Sequence, residues 1–412
     1  MTETMTPGAS YILQGAMYFY RDKNIYCRYQ YTLRDAVDPA LLQQAVDAAL
    51  AEADYFKTKL VQEKREVYLA PNDQPFTVCR DSRLRAMPEE TAGYLFNVSC
   101  EDRELFFDWF HFIADGHGVS RFLTRILMEY CNRRYGTGFA CPPLASAPAY
   151  DMEALLAHDP TANAEGLPEI QPVEVEEGQL RRSMVRLDKQ SLVDAALRCQ
   201  VKPVSALFGL LCLAIQPFIG RDKVEYCYST DTRQAVGVPD AFYNCVASFR
   251  NGVQAGPQVR LADIAAGIDA DLRASIDHPR QLAQMAKMMS WVCRVDALKA
   301  PLRIKKRVFS MGERMGDFPA DFWISYLGDP LDPDRNYPAA LTDYIEDFEV
   351  WVPPDGASVG FEVASLHGQL ILCIQDKLGR AGIPQAIRSV MEREGVRVLS
   401  ALDVGDGLPG QE

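Results

Sequence analysis

Paired cysteines are the first thing this 412-residue chain lacks. Its eleven cysteines are odd in number and scattered, and no CxxC pair occurs. That spacing supports neither a disulfide framework nor a thiolate zinc site. Most of the cysteines sit in apolar strings, where free Cys behaves as a small hydrophobe, and a reducing cytoplasm is the expected compartment. Basic excess is absent too. Forty-three Lys and Arg against 56 Asp and Glu give a formal net charge of −13, so a general attraction to nucleic acid or an anionic membrane is not expected. An anionic ligand would need a local basic site. The first ten residues, MTETMTPGAS, have no apolar stretch behind a basic start, so no secretory signal is expected. The longest apolar run, Val204 to Ile219, is interrupted by Ser205, Gln216 and Pro217. It is too short to span a bilayer comfortably and reads as a buried helix. Also missing are G-x-S-x-G, the phosphate-binding G-x-x-x-x-G-K and the dinucleotide-binding glycine pattern, which removes several competing enzyme classes.

What is present is ordinary globular composition, 48% hydrophobic and 24% charged, enough for a large core in two or three domains. Asp38 and Pro39 make an N-cap and first turn for a helix with Leu41, Leu42, Ala45, Val46, Ala49 and Leu50 on one face. The aromatic-rich segment Glu104 to Phe112 reads as a strand buried on both faces. After the turn ADGHG, a helix is expected with Val119, Phe122, Leu123, Ile126, Leu127 and Tyr130 on its packed side. Residues near 140–179 are rich in Pro, Ala and Glu, as in a connecting segment. The organisation expected is therefore a first lobe at 1–150, a connector at 151–180 and a second lobe at 181–412. The second lobe mixes strands near 182–187, 223–229, 244–253, 321–327, 345–351, 359–365 and 369–375 with several helices. Without the strict alternation of a barrel or dinucleotide fold, the class is α/β (α+β) with mixed sheets.

The only dense constellation of reactive side chains is FHFIADGHGVS, holding His111, Asp115, Gly116, His117 and Ser120. An HxxxDG pattern should arise by chance only about 0.03 times in such a chain. His111 ends the expected strand and faces a turn, where a side chain can project into a cleft from a rigid backbone. The alternative is a core histidine satisfied by a carbonyl. His117 reads as a turn-surface residue, and Ser120 as a helix cap rather than a nucleophile. A strand end and a tight turn with no fourth partner make a poor metal site, so no metal is expected.

At these residues the chain resembles the CoA-dependent acyltransferase superfamily, which includes chloramphenicol acetyltransferase, alcohol acetyltransferases and peptide-synthetase condensation domains. The resemblance extends over nearly the whole chain. It rests on His111, Asp115 and Gly116, on the apolar helix PVSALFGLLCLAIQPFIG, on DTRQAVGVP and FYNCVASF, and on WISYLGDP. Two features depart from it. Phe110 stands where condensation domains usually carry a first histidine, and no DFGWG segment occurs in the last hundred residues. The first leans toward the alcohol-acyltransferase side, and the second argues against the plant-type hydroxyl acyltransferase branch of the superfamily.

The resemblance implies two chloramphenicol acetyltransferase-like lobes with an active-site tunnel at their interface. His111 would be the general base that moves an acyl group from a CoA or other pantetheine thioester to an alcohol or amine, without a covalent acyl-enzyme. Asp115, Gly116 and Arg233 would be structural at the site, Asp115 pairing with Arg233 across the lobes. Asn244 and Ser325 are candidate oxyanion or substrate contacts, Asn244 having the alternative of satisfying backbone at a strand edge. Arg303, Lys305, Lys306 and Arg307 are candidates for CoA phosphates, with a solvated helix or strand face as the plainer reading. No tightly bound cofactor is expected; acyl-CoA is a co-substrate. The rival functions are a condensation-type enzyme that takes its acyl group from a carrier protein and a non-catalytic binding protein on the same fold.

Overall fold

The computed structural model describes residues 10–21, 24–144, 148–158, 179–315, 320–331, 337–354 and 357–406. Most of the expected connector, 159–178, lies outside the described residues. The first half runs α1 (Ser10–Phe19), β1 (Tyr26–Leu33), α2 (Pro39–Glu52), the hairpin β2 (Thr58–Gln62) and β3 (Val67–Pro71), β4 (Phe96–Glu101), β5 (Glu104–Phe110), α3 (Gly116–Tyr135) and the short α4 (Met152–Leu156). The second runs β6 (Arg181–Asp188), α5 (Lys189–Arg198), α6 (Pro203–Ile215), β7 (Lys223–Asp231), β8 (Val246–Gln254), α7 (Leu261–Ser275), α8 (His278–Asp296) and α9 (Leu302–Met315). It ends with β9 (Ala320–Gly328), β10 (Ile345–Trp351), β11 (Ala357–Leu366), β12 (Gln369–Asp376), α10 (Ile383–Arg393) and β13 (Val398–Asp406).

Local chemistry accounts for many of these boundaries. The Asp38 carboxylate accepts from the amides of Ala40 and Leu41, and Pro39 opens α2. Leu42, Ala45, Val46, Ala49 and Leu50 are buried against α3, which is the apolar stripe of an amphipathic helix finding its partner. Helix α6 is buried nearly all round and packs among α5, α7 and α10, as its largely apolar composition requires. Among the described residues no single helix is long and apolar enough to cross a membrane.

Two sheets carry the architecture. A seven-stranded mixed sheet has the order β13-β6-β12-β11-β9-β7-β8, with β9 parallel to both β11 and β7. An antiparallel sheet has the order β10-β1-β5-β4. Its outer strand β10 comes from within the 181–412 stretch, pairing Trp351 with Arg28 and Phe348 with Tyr31. The later stretch of chain thus donates a strand to the sheet of the earlier one. The same strand then joins the sheets: the Val350 amide meets Cys373 Sγ at 3.4 Å, Arg186 pairs with Asp347, and the Arg182 guanidinium stacks on the Trp351 ring at 3.8 Å.

Candidate active site

Strand β5 stops at Phe110, shorter than the expected segment to Phe112, so His111 opens the turn rather than ending the strand. The reason is the turn that begins there, since the amide pairing with β1 itself continues one rung further. The His111 amide donates to the Ile25 carbonyl at 2.9 Å, just before β1, and Ile113 closes a turn onto Phe110. Asp115, not Ser120, caps α3: its Oδ1 accepts from the Gly118 amide at 2.9 Å. His117 lies in the first helical turn, partly buried rather than on a turn surface, with Nδ1 3.3 Å from Asp231 Oδ2. Glycine is needed at two positions here. A Cβ on Gly118 would come within 1.9 Å of the Phe242 carbonyl, and one on Gly116 within 2.7 Å of the Tyr29 hydroxyl.

The connection between β7 and β8 folds over this turn and supplies both partners taken from the second half. Arg233 Nη2 lies 2.8 Å from Asp115 Oδ1, and the two side chains are only 2% and 7% exposed. Arg233 also donates to the carbonyls of Ala241 and Tyr243 at 2.9 and 2.8 Å and to Asp231 at 3.1 Å. Asp115 Oδ2 accepts from the Cys245 amide at 2.9 Å. Burial alone would raise the Asp115 carboxyl; the Arg233 charge and the amide hydrogen bonds hold it below the usual range. A linked set runs from Asp115 through Arg233 to Asp231 and His117, and it leaves the His111 side chain outside.

Asn244 works on backbone. Its Nδ2 donates to the carbonyls of His111 at 2.9 Å and Phe112 at 3.1 Å, which commits both amide protons to the motif turn. Its Oδ1 and the Nδ1 of His111 are both buried without a hydrogen bond of regular geometry. The His111 ring is half-buried and stacks on Tyr18 of α1, with centroids 3.9 Å apart and planes 14° apart. Burial lowers its proton affinity, as does the Arg21 guanidinium. Asp115, Asn244 and the residue's own carbonyl oppose this, and the net pKa falls below the ordinary histidine value.

The other candidates are dispersed. Ser325 sits on β9 directly across from Glu362 of β11. Leu327, two residues on, reaches the space beside Gly116. The basic run lies on α9 and is divided. Lys305 is 3% exposed and 3.7 Å from Asp296, and Lys306 stands over the Phe19 ring at 4.2 Å. Only Arg303 and Arg307 are exposed. A single phosphate cradle built from all four is therefore not formed. Among the described residues no group of three or more His, Cys, Asp or Glu side chains is placed to hold a metal ion. Tyr18, Arg21, Tyr29 and Glu362, all close to this region, carried no linear signal; each is brought in from a distant element.

No protein-family model and no curated protein matches the chain. Solved structures do. Polyketide synthase associated protein 5 from Mycobacterium tuberculosis is 20% identical with a TM-score of 0.63, covering 94% of this chain and 98% of that one. The condensation domain of the Monacolin K polyketide synthase MokA is 11% identical, also with a TM-score of 0.63, covering 96% and 98%. The chain has the condensation-domain fold. That two-lobed fold is shared with the chloramphenicol acetyltransferase-like CoA-dependent acyltransferases. The epimerization domain from the third module of tyrocidine synthetase B has it too, at 12% identity and a TM-score of 0.57, covering 90% of each chain. Within the condensation-domain fold, the HxxxDG turn stands at the end of β5, an inner strand of the four-stranded sheet, and against the β7–β8 connection of the seven-stranded one.

Proposed function

We propose that this chain transfers an acyl group from a pantetheine thioester to a hydroxyl or amine, with His111 as general base. The observation that carries the reading is the state of His111. It is a half-buried imidazole whose pKa lies below the ordinary value, held at a turn that Asn244 and the Asp115–Arg233 pair make rigid. A base must be neutral before it can accept a proton, and this environment keeps it so near pH 7. The acceptor's hydroxyl or amine would attack the thioester carbonyl as the imidazole takes its proton. The tetrahedral oxyanion would collapse with loss of thiolate, which the same ring can protonate.

The cations bear on the form of the donor. A free CoA donor would call for a phosphate cradle, and the α9 run is divided between a buried lysine, a lysine over an aromatic ring and two outward arginines. The flexible arm common to CoA and carrier proteins asks for less. Together with neighbours described as a condensation domain and a polyketide synthase associated protein, this favours a donor presented by an acyl carrier protein. The test compares acyl-CoA with the same acyl group on a phosphopantetheinylated carrier, following thiol release with and without acceptor. Faster release from the carrier supports the reading; equal or faster release from CoA returns the donor to free CoA.

A further inference from the structure

Five acidic residues are buried among those described: Asp108, Asp115, Asp269, Glu362 and Asp376. Four of them pair with an arginine, namely Arg28, Arg233, Arg273 and Arg380. Glu362, 6% exposed, makes no ion pair among the described residues. Its neighbours are Ser325 across the β9–β11 pair, Cys373 on β12, and Cys27 and Tyr29 on β1 of the other sheet. None of these is a cation. The carboxyl therefore stands at the seam between the sheets with a charge, when ionised, that no cation among the described residues balances. Tyr29 links it to the motif, since its hydroxyl lies 3.3 Å from the Gly116 carbonyl.

A buried carboxyl without a cation is held in its neutral form, and a cation bound beside it supplies the charge that lets it ionise. We propose that Glu362 is the binding residue for a cationic acceptor, a primary ammonium, which makes this site an amine-acylating one. This rests on the acyl-transfer reading. Chemistry gives the carboxyl a use. An acceptor arriving as R–NH3+ loses two protons on becoming an amide. Glu362 takes the first, freeing the lone pair that attacks the thioester carbon. His111 takes the second as the C–N bond forms and gives it to the thiolate as the C–S bond breaks. Glu362 then returns its proton to solvent. An alcohol acceptor has only the second proton to lose.

The test is calorimetric titration of the full chain at pH 7 with n-hexylammonium and, separately, 1-hexanol, each in two buffers of different ionisation enthalpy. Burial pushes the empty Glu362 carboxyl up to about 8, so ammonium binding should ionise it and release a proton. Glu362→Gln should weaken hexylammonium binding roughly tenfold to a hundredfold, the size of a lost charge-assisted hydrogen bond, and abolish the proton release. Hexanol binding should not change. Should Glu362→Gln fail to fold, Glu362→Met is read the same way. No hexylammonium binding to the parent, or equal weakening of both ligands, overturns the proposal. His111→Ala should still bind hexylammonium while losing transfer. A parent that acylates alcohols but not amines would leave the acyl-transfer reading intact and remove this one.

Discussion

At His111, burial and the Arg21 guanidinium work against the imidazolium while Asp115, Asn244 and the residue's own carbonyl favour it, and burial wins. The acid limb of kcat/KM should therefore fall with a midpoint below about 6.5, the ordinary histidine value. A midpoint above it, measured across the acid range with a saturating donor, would mean that a different group titrates. His117→Ala should reduce turnover far less than His111→Ala, because the His117 ring is engaged with Asp231. Equal losses would reverse their roles. Glu362 makes the opposite case. Its folded pKa, near 8, is raised above the roughly 4.3 of an unfolded glutamate. The protonated form contributes stability below the unfolded value, and that contribution is lost as pH rises toward 8. Urea midpoints of the parent should fall over this window, and those of Glu362→Gln should fall less. Parallel curves would show that the carboxyl is ionised throughout.

Between elements, the Asp115–Arg233 pair ties the N-terminus of α3 to the β7–β8 connection. With both side chains nearly fully buried, removing one strands the other's charge, at a cost of about 3–5 kcal/mol, and removing both should cost less than the sum. Denaturant unfolding of Asp115→Ala, Arg233→Ala and the double variant measures this; additive losses would mean the pair does not couple. The elements themselves were largely legible. The Asp38 cap, the α3 stripe and the apolar α6 declare themselves by local spacing. Helix α1 and strand β1 were not read. Their meaning depends on Tyr18 reaching His111 and on β1 receiving β10, contacts that no local pattern encodes. The end of β5 was misplaced because His111 keeps the next rung of the β1 pairing while the Ile113 amide already closes a turn onto Phe110, and no local pattern distinguishes that from one more strand residue. Ser120 looked like the cap because serine often is one, while the carboxylate one turn earlier took that role.

Across the whole molecule, the mixed α/β class followed from the pattern of elements and the two-lobed fold from the resemblance, but the donation of β10 to the first-half sheet followed from neither. That strand, IEDFEVW, lacks regular alternation, so its register with β1 is decided by the tertiary fold. The basic run was legible as charge but not as geometry, because a helix of 3.6 residues per turn sends Lys305 inward while Arg303 and Arg307 point out. The account rests most heavily on His111 as the base of thioester acyl transfer. The direct measurement is thiol release from an acylated phosphopantetheinyl carrier protein, with a primary amine acceptor present, for the parent and for His111→Ala. Circular dichroism and unfolding should show both folded, and the variant should be slower by about 10²-fold or more, the scale of general-base assistance. A folded His111→Ala that releases thiol and forms amide at the parent rate would contradict the account.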